Sequence, residues 1–257
     1  MAGQPPTGPS RLRLDQALIE RGLCSSREKA KRLIMGGQVK VNGKPSSKPS
    51  DWVRPQDTLI LETPERFVSR GGLKLEHALL TFELDVRGLT AIDIGASTGG
   101  FTDCLLQHGA VRVYSVDVGH AQLAWKLRQD PRVVVMEKVN ARALGPASFR
   151  DPFEPVDLVV IDCSFISLRK IIPPAIALVR PSGKLVALIK PQFEAGKLEA
   201  DRGAGVIRDP EIHRRVLREL EQFVRSLAGV KWLGTTASPV LGPAGNREFF
   251  ALLEKTG

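Results

Sequence analysis

The chain of 257 residues is poor in cysteine. Its three, Cys24, Cys104 and Cys163, stand far apart with no Cys-x-x-Cys spacing. That speaks against a disulfide framework or a zinc ribbon and makes a reducing cytoplasm the expected setting. The four histidines, His77, His108, His120 and His213, show no ligand spacing, so no metal site is expected. No uninterrupted apolar run approaches the ~20 residues of a membrane-spanning helix. Residues 1–10 are rich in proline and glycine and lack both a basic start and an apolar stretch. They read as a disordered N-terminus rather than a secretory signal. Repeats and low-complexity tracts are also missing.

Acidic residues are outnumbered, 28 against 37 basic ones, for a net charge of +9. Between Arg11 and Ser50 ten basic residues face three acidic ones, so 40 residues hold +7 and the other 217 carry +2. A small basic module joined to a nearly neutral body points to polyanion binding at one end.

That module spans 11–62. Arg11–Ile19 reads as a short helix with Leu14, Ala17 and Leu18 on one face. Ser25 and Glu28 have capping-box spacing. The helix they open turns Ala30, Leu33 and Ile34 inward and carries Arg27, Lys29, Lys31 and Arg32 elsewhere on its circumference, until Gly36-Gly37 ends it. Val39–Lys44 is a strand entering an Asn42-Gly43 turn, and Thr58–Leu61 a second strand. A charged helix is by itself often only a solvated face. A dense one-signed cluster followed by a hairpin bearing Lys40, Lys44 and Lys48 favours phosphate neutralisation instead. The order of signals, from Arg13-Leu-Asp-Gln-Ala-Leu through Gly22–Arg27 and Ile34–Gly43 to Pro55-Gln-Asp57-Thr, resembles the small RNA-binding domain first described in ribosomal protein S-four. The resemblance implies structured-RNA binding, with Arg13, Arg27, Lys31, Arg32, Lys40 and Lys44 as contacts.

Residues 63–69 carry a proline and no periodicity and read as a linker. From 70 to 257 strand and helix signals alternate: helices near Gly72–Phe82, Gly100–His108, His120–Arg128, Leu168–Val179 and Pro210–Leu227, and strands at Thr90–Ile94, Arg112–Val116, Val133–Glu137, Leu158–Ile161 and Lys184–Ile189. Two more strands, Lys231–Ala237 and Glu248–Leu253, follow without a helix between them. The expected fold is α/β, a doubly wound Rossmann-like parallel sheet with an antiparallel hairpin at one edge, preceded by the small α+β module.

After the first of these strands comes Asp93-Ile-Gly95-Ala-Ser-Thr-Gly-Gly100-Phe101, a glycine turn opening a helix. With Gly95 as the first glycine, the second of a dehydrogenase fingerprint falls on Ser97, and no Gly-Lys-Ser/Thr phosphate loop occurs. The turn resembles that of S-adenosylmethionine-dependent methyltransferases. This makes Asp93, Gly95, Ser97, Gly99, Gly100 and Phe101 the cofactor-binding candidates. Asp117, at the end of the next strand, is placed to accept ribose hydroxyls. Asn140 is a candidate for the adenine side, although an ordinary turn accounts for it equally. Gly196–Asp209 reads as a substrate-side lid or a plain flexible loop.

Amino-group methyltransferases carry Asp/Asn-Pro-Pro-aromatic after the fourth strand. Here Asp162-Cys-Ser-Phe165 stands there, which makes a base amine the weaker target. Lys74, Asp162, Lys190 and Glu248 all fall near strand ends or loops that converge on one crevice, although up to 174 positions separate them. With Ser69-Arg-Gly-Gly-Leu-Lys74-Leu, Val116–Trp125, Asp162–Ser167, Lys190-Pro-Gln-Phe-Glu194 and Ser238–Asn246, the chain resembles the TlyA family within the FtsJ-like ribose methyltransferases. The resemblance implies a Lys-Asp-Lys-Glu catalytic tetrad at those four positions, S-adenosylmethionine as cofactor, and 2′-O-methylation of cytidine in ribosomal RNA or ribosomal subunits. Lys190 would then orient the hydroxyl or take its proton. Two other classes stay open: a non-catalytic RNA-binding or ribosome assembly factor with a vestigial fold, and a membrane-lytic protein, since members of this family have been labelled haemolysins. Titration with S-adenosylmethionine separates the first, and the lack of a spanning segment speaks against the second.

Overall fold

The computed structural model describes residues 11–62, 66–150, 152–196, 199, 203–242 and 244–257. Contacts divide the chain into two compact units at Glu65/Arg66. The expected disordered segment 1–10 lies outside the described residues.

The first unit begins with β1 (Leu12–Arg13) and α1 (Leu14–Glu20) where one helix was expected. Arg13 is extended and pairs across β4 (Trp52–Val53), a strand with no sequence signal because two residues are too few for alternation. In α2 (Arg27–Met35) the cap is Ser26, whose hydroxyl accepts from the Lys29 amide at 3.3 Å. The residue three positions on is therefore a lysine, and the capping box expected of Ser25 and Glu28 does not form. β2 (Val39–Val41) and β3 (Lys44–Ser46) make a hairpin, and β5 (Leu59–Leu61) pairs on the other side of β2. The hairpin turn holds Asn42 at φ 50° and Gly43 at φ 80°, the left-handed pair that a two-residue turn demands. Leu14, Leu18, Ala30, Ile34, Val39 and Val53 close the core.

In the second unit seven strands run β11-β12-β10-β9-β6-β7-β8: β6 (Thr90–Ile94), β7 (Arg112–Val116), β8 (Val133–Met136), β9 (Val156–Ile161), β10 (Val179–Ile189), β11 (Val230–Ala237) and β12 (Phe249–Lys255). β6 to β10 are parallel, and β12 is antiparallel to both of its neighbours. Successive residues serve opposite layers. Ala91, Leu158, Val160 and Leu188 face α3 (Gly71–Thr81) and α4 (Gly100–Gln107), while Ile92, Val159, Ile161 and Ala187 face α6 (Ile172–Ala177) and α8 (Pro210–Arg225).

Two expected helices differ in extent, and one short helix was not expected. Of His120–Arg128 only α5 (Trp125–Arg128) is helical, because the His120 ring and the Ala121 amide are held by Glu137 and Ala121 sits at φ 56°. Leu168–Val179 breaks into a 3₁₀ turn, Leu168–Lys170, followed by α6. Pro173 and Pro174 have no amide hydrogen for a continuous helix and fit only its first turn. α7 (Pro191–Glu194) is a single turn after β10. β10 itself starts at Val179, not Lys184, and bulges through Gly183, where a Cβ would lie 2.9 Å from the Asp157 carbonyl oxygen.

Arg66–Ser69, expected as linker, belong to the second unit. Phe67 is buried in its core, the Val68 amide donates to Asp103 at 2.8 Å, and Gln107 donates to the Arg66 carbonyl at 2.9 Å.

Candidate active site and basic surface

Strand order reverses between β6 and β9, and the crevice at their C-terminal ends is where an α/β sheet accepts a ligand. Two adjoining hollows occupy it, of about 500 and 250 Å³, sharing Gly95, Ser97, Asp162 and Ser164. The backbone of the glycine turn is pinned by the Gly95 and Ala96 amides, which both donate to the Val116 carbonyl. Gly95 sits at φ 87° with its absent Cβ 2.6 Å from the Asp162 carbonyl oxygen, so no other residue fits there.

The larger hollow has apolar walls from Val116, Val118, Val139 and Ile171, with Asp117 and Asn140 as polar points. Asp117 accepts from the Ser97 and Gly119 amides, one on each oxygen at 2.7 Å. A carboxylate has about four lone-pair sites, so each oxygen can still accept a hydroxyl. Asn140 spends its carbonyl on the Arg142 amide, at 3.0 Å. Asp93 lies beneath the turn and lines neither hollow. Its Oδ2 accepts from the Thr102 amide at 2.9 Å and from the Thr102 hydroxyl at 2.7 Å. Full burial pushes its carboxyl up to about 7, with the charges of Asp162 and Asp117 adding and the Thr102 bonds opposing. Through Thr102, Asp93 braces the start of the helix that follows the turn. Gly99 also lines neither hollow, since its open side faces Leu123 and Leu127. Gly100 and Phe101 line the smaller one.

The smaller hollow is polar, with Ser69, Arg70, Lys74, Asp162, Ser164 and Lys190 around it. Close approach of α3 and α4 makes it: a Cβ on Gly100 would stand 2.9 Å from the Gly72 amide nitrogen. That contact carries Lys74, on the first turn of α3, to Glu248, which it meets at 2.5 Å with both side chains buried. Glu248 reaches the crevice because the antiparallel pairing of β12 sets Phe249 opposite Ile189, so the residue before β12 lies beside the residue after β10. That residue, Lys190, donates to Ser164 Oγ at 2.9 Å and stands 2.5 Å from Asp162 Oδ1. The second contact is an ion pair without hydrogen-bond alignment, and Asp162 Oδ1 is a buried oxygen with no hydrogen-bond partner. Two cation–carboxylate pairs thus stand at one crevice, with Asp162 where the two hollows meet.

Four residues around these pairs had no assigned role in the sequence reading. Ser164 orients Lys190. Glu194 accepts from the Ser167 hydroxyl and the Leu168 amide, both at 2.7 Å, and so ties α7 to the loop after β9. Arg70 is exposed at the rim of the smaller hollow. Phe165 is 91% exposed at φ 63°, its ring 5.0 Å from that of Phe193. A positive φ on a bulky residue, with the ring left in water, is a feature that periodicity does not register. Cys163 is no nucleophile: burial first, and the charge of Asp162 next, push its thiol up to about 12. Of the loop 196–209, residues 197, 198 and 200–202 lie outside the described residues. Gly205 and Ile207 are bound to the Asn246 side chain at 2.8 Å each.

In the first unit the six candidate cations differ in what they already hold. Arg13 and Arg27 both hydrogen-bond the buried carboxylate of Asp15, at 3.1 and 2.9 Å. Burial would raise the Asp15 pKa, but these two guanidiniums together hold it below the usual carboxylate value. Lys40 is paired with Glu62 at 2.5 Å. Lys31, Arg32 and Lys44 are exposed and meet no carboxylate among the described residues.

A doubly wound sheet with β12 reversed beside β10, a glycine turn after β6 and an acid after β7 defines a methyltransferase-type domain. The particular family follows from comparison with known proteins. The model of the FtsJ-like methyltransferase family matches residues 67–255, and that of the S4 domain matches residues 12–59. The chain belongs to the FtsJ-like methyltransferase family and carries an S4 domain ahead of it. It is 43% identical to the 16S/23S rRNA (cytidine-2′-O)-methyltransferase TlyA of Mycobacterium tuberculosis over 95% of this chain and 90% of that one. To Hemolysin A of Brachyspira hyodysenteriae it is 40% identical, over 93% of this chain and 98% of that one. The solved structure of a hemolysin-named protein of Streptococcus thermophilus superposes with a TM-score of 0.71 at 45% identity, covering 97% of this chain and 90% of that one.

Proposed function

We propose that this protein transfers a methyl group from S-adenosylmethionine to the ribose 2′-hydroxyl of a cytidine in ribosomal RNA, working in the cytoplasm on rRNA or ribosomal subunits. The observation that carries the reading is the pair of ion pairs Lys74–Glu248 and Lys190–Asp162 beside the glycine turn, with Lys74, Asp162 and Lys190 lining the smaller hollow. The residues present suit the cofactor. The larger hollow has the apolar walls and the ribose-accepting Asp117 that a nucleoside needs, and Asp162, paired with Lys190, lines both hollows. When bound, S-adenosylmethionine supplies an electrophilic methyl on a sulfonium.

The chain's own residues do the rest. A ribose hydroxyl is a weak nucleophile at neutral pH, so its oxygen must be aimed and its proton given somewhere to go. The Lys190 ammonium, held by Asp162 and Ser164, donates to the 2′-oxygen and fixes its lone pair. With the cofactor bound, the hydroxyl would turn strongly acidic as its oxygen is methylated, and its proton would pass to the Lys190–Asp162 pair. Glu248, buried behind the smaller hollow, neutralises Lys74 on its wall, which keeps the pocket's net charge low. Arg70, at the rim, suits the phosphate of the target nucleotide, and the exposed Phe165 ring suits its base. A nucleotide in a paired region would be turned out of its stack to reach them. The first unit grips structured RNA through Lys31, Arg32 and Lys44, with Arg13 and Arg27 shared between Asp15 and phosphate.

The test is to map 2′-O-methyl groups on rRNA from cells with and without the protein. The purified chain should then restore the missing group with S-adenosylmethionine, while Lys190→Ala, with cofactor binding intact by calorimetry, should not. An rRNA with an unchanged methylation map would sink the reading. Among the described residues no helix is long and apolar enough to cross a membrane.

A further inference from the structure

Outside the crevice the first unit has a second feature that the proposed function leaves unused. Trp52 is 64% exposed on β4, while its neighbour Val53 is 2% exposed in the core. The strand is no loose end. The Leu14 amide donates to the Asp51 carbonyl at 2.7 Å, the Asp15 amide to the Pro49 carbonyl at 3.2 Å, and Ser46 Oγ to Asp51 Oδ2 at 2.7 Å. After it, Arg21 and Asp57 lock the turn 54–57 by hydrogen bonds to Arg54 and Pro55. A large indole is therefore held out into water on a fixed ledge.

Its surroundings are cationic. Register pairs Trp52 with Arg13, which puts the two side chains on the same side of the two-stranded sheet. Trp52 also borders an open hollow of about 520 Å³ shared with Lys44, Pro45 and Lys48. Neither lysine meets a carboxylate among the described residues, and the one acid at the hollow, Asp51, is already bonded to Ser46. An aromatic face flanked by free cations is the arrangement that holds a single-stranded nucleotide, the base on the ring and the phosphates on the lysines. A protein partner would favour a larger apolar patch without unpaired lysines.

We propose that Trp52, with Lys44 and Lys48, forms a stacking site for an unpaired base of the RNA, separate from the cationic face of α2. The site supplies selection for a loop or bulge next to the helix that the α2 cations track. This rests on the RNA-binding reading of the first unit, and the experiment separates the two. The full chain is titrated with a synthetic RNA hairpin bearing a purine-rich unpaired loop, and with a blunt duplex of the same stem. Trp52→Ala should weaken hairpin binding about tenfold, since stacking on an aromatic ring contributes roughly 5- to 150-fold per base, and leave duplex binding unchanged. Trp52→Phe should recover most of the loss. In a Trp125→Phe/Trp232→Phe background, the remaining indole emission should be quenched by the hairpin and much less by the duplex. Hairpin binding by Trp52→Ala within twofold of the parent, or equal weakening on both RNAs, overturns the stacking site. If the Arg27→Ala/Lys31→Ala variant also binds both RNAs as the parent does, the RNA-binding reading falls with it. If that variant alone loses affinity, the grip stands and the Trp52 site does not.

Discussion

In the first unit the cations of α2 lie at the surface, most of them without a carboxylate partner among the described residues, and their joint field is what a polyanion meets. In the second unit Lys74 and Lys190 are each about nine-tenths buried and each matched to one carboxylate at 2.5 Å. The first arrangement is additive and screened by salt, so any one cation is replaceable. The second is specific. Burial leaves each charge dependent on its partner, and removing either strands the other.

The largest effect that tests this contrast falls on Lys190. Lys190→Ala should lower the turnover of methyl transfer by about 10²–10⁴-fold, the usual worth of a positioned proton-handling group, with cofactor affinity little changed. Single-turnover assays on rRNA measure it, and a loss of less than tenfold would place Lys190 outside the reacting centre. Next comes the buried pair below. Glu248→Ala leaves the Lys74 charge stranded and should destabilise the second unit by about 3–5 kcal/mol, read from urea midpoints. Lys74→Met/Glu248→Leu should regain much of that stability while remaining inactive.

Asp93 sharpens the contrast through pH. Its native carboxyl keeps the proton up to about 7, whereas the ordinary value is 3.8. Between these values the native state binds more protons than the unfolded one, so its contribution makes stability fall as pH rises across that window. Asp93→Asn retains an acceptor for Thr102 and removes the titration. The difference in unfolding free energy between parent and variant should therefore shift in the variant's favour from pH 4 to pH 7 and stay level above it. A difference that does not vary with pH would show that Asp93 is ionised throughout. The smallest effect belongs to the surface. Lys31→Ala should weaken RNA binding nearly equally for all sequences and reduce the slope of log affinity against log salt by about one. A sequence-selective loss would mean that Lys31 reads a base.

Much of the architecture was legible because periodicity reports burial. The strands Thr90–Ile94, Arg112–Val116 and Leu158–Ile161 and the long amphipathic α8 fall close to their expected places, since each buries enough side chains to impose a pattern. The misplaced elements are those fixed by single contacts. β4 exists because Leu12 and Arg13 lie opposite it, and the segment before α5 is a loop because Glu137 captures His120 and Ala121. Ser26 displaced Ser25 as a cap by one residue of backbone geometry. Within the site, the tetrad positions were marked by motif, whereas Ser164, Glu194 and the out-turned Phe165 were not. Their roles lie in which neighbour each one touches.

Alone, the order of residues determined that a basic module precedes an alternating α/β domain, and which glycines and charged groups stand at strand ends, because charge, periodicity and turn chemistry are local properties. Only the tertiary structure decided which cation meets which carboxylate. The pairing of β12 against β10 sets Glu248 near Lys190, and the close approach of α3 to α4 then delivers Lys74 to Glu248 rather than to Asp162. Contacts between residues 174 positions apart depend on sheet register and helix packing. No stretch of the chain encodes either one by itself.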